Sequence, residues 1–106
     1  FYQDAFGFKE LRRRDFPDHA FTIVYLGLEG DDYELELTYN YDHGPYVVGD
    51  GFAHIALSTP DLEALHQEHS NKGYEVTEPK GLPGNPPNYY FVKDPDGYKV
   101  EVIREK

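Results

Sequence analysis

Three side chains in this sequence could act together as metal ligands: Glu36, His54 and Glu101. Carboxylate oxygens with an imidazole nitrogen suit a first-row divalent cation. They do not make the all-oxygen cage that calcium prefers. Taken singly, each has an ordinary reading. Glu101 reads as a solvated charge on an outer strand face, and His54 as a half-buried histidine with its hydrogen bonds satisfied. A repeat ties them together. Asp32-Tyr33-Glu34-Leu35-Glu36-Leu37 lines up with Gly97-Tyr98-Lys99-Val100-Glu101-Val102, so Glu36 and Glu101 hold the same place in related segments. Upstream, Phe6-Gly7-Phe8-Lys9-Glu10 resembles Lys72-Gly73-Tyr74-Glu75-Val76 at nearly the same offset. The duplicated unit is longer than about 30 residues. Two βαβββ-like copies, each carrying a carboxylate at one strand position, suggest a site near a pseudo-twofold axis. Glu34 aligns with Lys99 and reads as solvated. His66 and His69 could bind metal at their helical spacing, but read as an exposed helix face.

These residues need strands to position them. Tyr98, Val100 and Val102 alternate with Lys99, Glu101 and Ile103 at period 2, so Glu101 faces away from the valines. Asp94-Pro95-Asp96-Gly97 before them is a tight turn. In 33–39, Tyr33, Leu35, Leu37 and Tyr39 face one way and Glu34, Glu36 and Thr38 the other. His54 lies in a strand over 52–58. The remaining pattern predicts a helix end at 1–6 stopped by Gly7, strands over 9–15 and 19–28, and a turn at Gly30-Asp31-Asp32. A loop over 40–51 joins the copies. Thr59 is expected as the N-cap of a helix running to about Lys72, with Pro60 at its first position and Leu62 and Leu65 on its buried side. Strands follow at 74–78, 89–93 and 98–104, with a Pro/Gly-rich loop over 79–88. The first copy contains the helix end and three strands; its opening strand would precede Phe1.

Composition narrows the partners. The 106 residues fit one small domain, divided as module 1 at 1–40, a linker at 41–51 and module 2 at 52–106. A net charge of −10 disfavours nucleic acid and anionic membranes. The one basic cluster is Arg12-Arg13-Arg14, and a solvated strand face or an anion contact explains it as well as any nucleic-acid role. There is no Cys, which removes disulfides and thiolate chemistry and agrees with a cytoplasmic setting. No apolar run is long enough to span a membrane.

The runs Glu34-Leu35-Glu36-Leu37-Thr38-Tyr39-Asn40, Gly51-Phe52-Ala53-His54-Ile55-Ala56-Leu57 and Asp94 to Val102 resemble those of glyoxalase I (lactoylglutathione lyase), of the vicinal-oxygen-chelate superfamily. The likeness extends over essentially the whole chain, in order and spacing, and the three runs together are highly specific. It implies an α+β fold of two βαβββ modules around a metal cleft, the first module lacking its opening strand. It implies that Glu36, His54 and Glu101 ligate one divalent metal per site, with nickel or cobalt favoured by the short form and zinc possible. It implies a homodimer in which each metal takes ligands from both chains, and contact of Asn40 with glutathione. Lys80 is the candidate for a second glutathione contact, because Pro83-Gly84-Asn85-Pro86-Pro87 departs from the family's glycine-rich, lysine-containing loop. A fourth ligand, a histidine, belongs on the family's opening strand. The duplication independently puts the counterpart of His54 ahead of Phe1.

The reaction implied is isomerisation of the glutathione–methylglyoxal hemithioacetal to S-lactoylglutathione, a detoxification. A proton must leave a carbon beside a carbonyl and return to its neighbour through an enediolate. A metal stabilises the developing charge. By resemblance, Glu101 is the base, loosening from the metal as it acts. No dinucleotide motif is present or needed. The competing readings are a metal-free protein of the same fold that binds or sequesters a small molecule, and an inactive truncated form.

Overall fold

In the computed structural model, every residue is described except Phe52, Ala53 and Lys106. The chain forms two compact units, Phe1–Pro45 and Tyr46–Lys106.

The first unit begins with helix α1 (Tyr2–Phe6) and continues as a three-stranded antiparallel sheet in the order β1-β2-β3. Its strands are β1 (Lys9–Phe16), β2 (Phe21–Gly27) and β3 (Glu34–Asn40). A single 3₁₀ turn, Pro17–His19, links β1 to β2. Leu26, Ala5 and Phe8 are buried. The register of β1 against β2 slips between Glu10 and Arg12, leaving Leu11 as the extra residue of a bulge. A bulge moves every later side chain to the other face, so Arg12 stands opposite Tyr25. The Leu11 side chain lies over Gly27, where a Cβ would fall 2.7 Å from Leu11 Cδ1 and the exposed leucine would have to shift.

The second unit contains β4 (Ile55–Thr59), helix α2 (Leu62–Asn71), β5 (Tyr89–Lys93) and β6 (Lys99–Arg104). The sheet order is β4-β6-β5, with β4 parallel and β5 antiparallel to the central β6. Leu62 of α2 and the sheet residues Tyr90, Val92, Val100 and Val102 are all fully buried. Period-2 alternation puts Val100 and Val102 in that core. Entry into β6 is fixed by Asp94, whose Oδ1 accepts from the backbone N–H of Asp96 at 3.0 Å and of Tyr98 at 2.8 Å.

The duplication is visible in the backbone. α1 ends at Gly7 with φ 76° and α2 is followed by Gly73 with φ 83°, two matching left-handed stops. β3 matches β6, and β2 matches β5. Among the described residues, β3 has a strand on one side only within its own sheet, whereas β6 is flanked on both.

Four sequence expectations need correction. The N-cap of α2 is Asp61, not Thr59: Asp61 Oδ1 accepts from Ala64 N at 3.1 Å. Thr59 is still held in the sheet, where its carbonyl accepts from Glu105 N at 2.9 Å, so the chain is not free to turn until after Pro60. Residues 74–78 make only an isolated bridge, Val76 to Val92. The ladder breaks because Phe91 N donates to the Thr77 side-chain hydroxyl at 2.9 Å rather than to a carbonyl. His69 is fully buried, not exposed. It lies seven residues after Leu62, on the same helical stripe. Finally, Glu34 is not simply solvated, since Arg12 binds it through two 2.8 Å hydrogen bonds. The expected start of the β4 strand at Phe52 and Ala53 falls outside the described residues.

Candidate metal centre

Glu101 is placed by its neighbours in β6. Because Val100 and Val102 fill the core, the residue between them must project from the opposite face of the sheet. There it stands opposite Phe91 of β5 and beside Ala56 of β4. His54 sits one residue before β4 begins. Its Nε2 lies 2.9 Å from Glu101 Oε1, with the two side chains 33% and 20% exposed. The imidazole also meets the edge of the Phe91 ring, with centroids 5.2 Å apart. One apolar wall and partial access to water leave this pair both oriented and reachable.

The pair passes a simple fit test for a metal. Two ligands each about 2.1 Å from an ion and at right angles to one another lie about 3 Å apart. The separation of 2.9 Å agrees with that. Imidazole nitrogen and carboxylate oxygen are also the donor types that a nickel, cobalt or zinc ion accepts. Among the described residues, no group of three or more potential ligand side chains gathers around one point.

Glu36 is described within the first unit, on the face of β3 opposite half-buried Leu35 and Leu37. It lies across from Tyr25 of β2, which lies across from Arg12 of β1. Hydrogen bonding with the facing Glu36, followed by burial and the charge of Glu36, pushes the Tyr25 phenol above the ordinary tyrosine range. The Arg12 guanidinium stacks over the Tyr25 ring, 4.0 Å from its centroid. Its hydrogen bonds to Glu34 hold the Glu34 carboxyl below the usual range. Arg13 pairs with Glu10 at 2.7 Å. Two of the three clustered arginines thus serve carboxylates of their own sheet.

The other expected site residues, Asn40 and Lys80, belong to the first and the second unit respectively. Asn40 is at the end of β3 and half-buried, on the Glu36 face by strand alternation. Lys80 is exposed and forms an isolated bridge with Tyr89. His69 and His66 are committed to structure. His69 Nδ1 lies 2.9 Å from the Tyr90 hydroxyl, and His66 Nε2 lies 2.9 Å from the Thr77 carbonyl oxygen. Burial, then the charge of Glu68, keeps Tyr90 neutral well above the ordinary range. The sequence reading missed Tyr25 and Arg12. The pairing of Tyr25 with Glu36 follows from antiparallel register, but that of Arg12 with Tyr25 depends on the bulge at Leu11, which leaves no turn or glycine signal in β1 itself.

Residues 1–102 match the family described as Glyoxalase/Bleomycin resistance protein/Dioxygenase superfamily. A lactoylglutathione lyase of Neisseria meningitidis is 39% identical over all of this chain and 79% of its own length. One from Arabidopsis thaliana is 43% identical over 98% of this chain, but the chain spans only 38% of that plant protein. The trypanothione-dependent glyoxalase I of Leishmania major superposes with a TM-score of 0.86 at 33% identity, covering 99% of this chain and 74% of that one.

Proposed function

This chain belongs to the glyoxalase I (lactoylglutathione lyase) family of the vicinal-oxygen-chelate superfamily, and from that premise we propose that it isomerises the glutathione–methylglyoxal hemithioacetal to S-lactoylglutathione. The observation that carries the reading is the 2.9 Å approach of His54 Nε2 to Glu101 Oε1 on the face turned away from the core. Glu36, His54 and Glu101 would hold one divalent ion, nickel or cobalt before zinc, in a homodimer where each ion takes ligands from both chains. When bound, that ion supplies Lewis-acid stabilisation to the oxygens on which negative charge develops.

The chain's own residues move the proton. The Glu101 carboxylate takes it from the sulfur-bearing carbon, whose C–H bond electrons shift toward the adjacent carbonyl and give an enediolate. Glu101, now a carboxylic acid, returns the proton to the neighbouring carbon; the hydroxyl proton of the first carbon passes to the oxygen of the second, so the first carbon becomes the thioester carbonyl and the second carries the hydroxyl. Atoms and electrons balance with no redox partner. The flanking Phe91 ring limits water on one side of the carboxylate, which favours retention of the proton between the two transfers. His54 orients Glu101 through the same short contact. Asn40 and Lys80 are assigned to the glutathione portion, and the setting is cytoplasmic.

The test uses the full-length protein, stripped with a chelator and reloaded with nickel, cobalt or zinc, then supplied with the preformed hemithioacetal. Thioester formation that is lost on stripping and restored by nickel or cobalt is the expected result. A metal-loaded protein that binds S-methylglutathione yet forms no thioester would leave a sequestering protein in its place.

A further inference from the structure

Across the first sheet, four side chains form a continuous row: Glu34, Arg12, Tyr25 and Glu36. Arg12 is gripped by Glu34 at 2.8 Å through each of its terminal nitrogens. Such a forked pair fixes the plane of the guanidinium. That plane lies 4.0 Å from the centroid of the Tyr25 ring, a cation–π contact that restrains the ring. Tyr25 in turn stands directly across from Glu36 in the neighbouring strand, on the same face of the sheet. Register explains the alignment, because Arg12 pairs with Tyr25 and Tyr25 with Glu36 in adjacent strands. The Leu11 bulge puts Arg12 on this face.

We propose that Tyr25, locked in place by the Arg12–Glu34 pair, is a positioning residue that orients the Glu36 carboxylate as a metal ligand. The inference rests on the reading above in which Glu36 is such a ligand. A carboxylate has four lone-pair directions. A donor fixed on one of them leaves a defined set for an ion and removes the rotational freedom that the side chain would otherwise lose on binding. Outer hydrogen bonds of this kind typically set metal affinity by about 10–100-fold. The matching carboxylate in the second unit has Phe91 in the place of Tyr25, and a phenyl ring cannot donate. The two ligands are therefore held differently: Glu36 by a fixed hydroxyl, Glu101 by His54.

The experiment is a cobalt titration of the full-length wild-type protein and of Tyr25→Phe, Arg12→Gln and Glu36→Gln. Dissociation constants and the visible spectrum of bound cobalt are read beside the thermal midpoint. Tyr25→Phe is expected to weaken cobalt binding by about 10–100-fold and to shift the spectrum without lowering the midpoint. Arg12→Gln should weaken it by a smaller factor through the loosened ring, and it decides the matter if Tyr25→Phe does not fold. Wild-type affinity in both variants, with Glu36→Gln impaired, overturns the positioning role and leaves Glu36 a ligand. Wild-type affinity in Glu36→Gln, or no cobalt binding by the wild-type protein, overturns the ligand reading and this inference with it.

Discussion

Glu36 and Glu101 occupy matching places in two related strands, yet their surroundings differ in three respects. The β6 strand that carries Glu101 has a neighbour on each side, and the β3 strand that carries Glu36 has one in its sheet. Opposite Glu101 stands a phenyl ring, whereas opposite Glu36 stands a phenol. Glu101 has a histidine at 2.9 Å, and Glu36 has an arginine one residue further along its row. Duplication thus preserved the place of the acid and varied what touches it. A carboxylate restrained by a fixed donor is suited to holding an ion. One whose cross-strand neighbour offers no hydrogen bond is freer to take up and release a proton.

The largest effect should separate these two roles. With metal saturating, Glu101→Gln is expected to lower kcat for the hemithioacetal by about 10²–10⁴-fold, the usual worth of a positioned base. Glu36→Gln should lose mainly metal affinity and recover much of its rate when metal is raised. Equal kcat losses in both variants under saturating metal would erase the division of labour.

A second contrast concerns the cores. Leu62 in the second unit is fully buried, while Leu35 in the first is half-buried. Leu62→Ala should destabilise by about 2–5 kcal/mol. Leu35→Ala should cost less, about 1–2 kcal/mol, because less apolar surface is lost from contact. Denaturant midpoints at an unchanged slope measure both. A larger loss for Leu35→Ala would reverse the contrast.

The smallest effect is in two exposed ion pairs, one taken from each unit. Arg104 holds the Glu63 carboxyl down to about 2, and Arg12 holds Glu34 below its usual range. A depressed carboxyl stabilises the folded state above its unfolded value, near 4.3. That contribution is lost as pH falls through the folded value. Stability should therefore decline slightly between about pH 4.3 and about pH 2, and Glu63→Gln should flatten the decline. An unaltered acid limb in Glu63→Gln would show that the pair contributes nothing in solution, as is common for exposed pairs.

Much of the fold could be read from local pattern. Strands 89–93 and 98–104, the turn at Asp94 and the helix stop at Gly73 follow from period-2 alternation and turn chemistry, which act over a few residues. The facing of Glu101 followed from Val100 and Val102. What was not legible depends on competition between distant partners. Thr59 has the right chemistry for a cap but is held by Glu105 in the sheet. Residues 74–78 look like a strand, yet the Thr77 hydroxyl takes the N–H of Phe91. His69 was misread because its polarity outweighed its spacing from Leu62, although the buried partner, Tyr90, sits 21 residues away. The Tyr25–Glu36 contact needed register, and the Arg12–Tyr25 contact needed a bulge.

The most direct measurement is an anomalous-difference map from crystals of the nickel-loaded, full-length protein. The account expects one peak per site within bonding distance of His54 Nε2 and a Glu101 oxygen, with Glu36 as a further ligand from the same or the partner subunit. A map in which His54 and Glu101 remain in contact with each other alone, with nickel bound elsewhere, would contradict it.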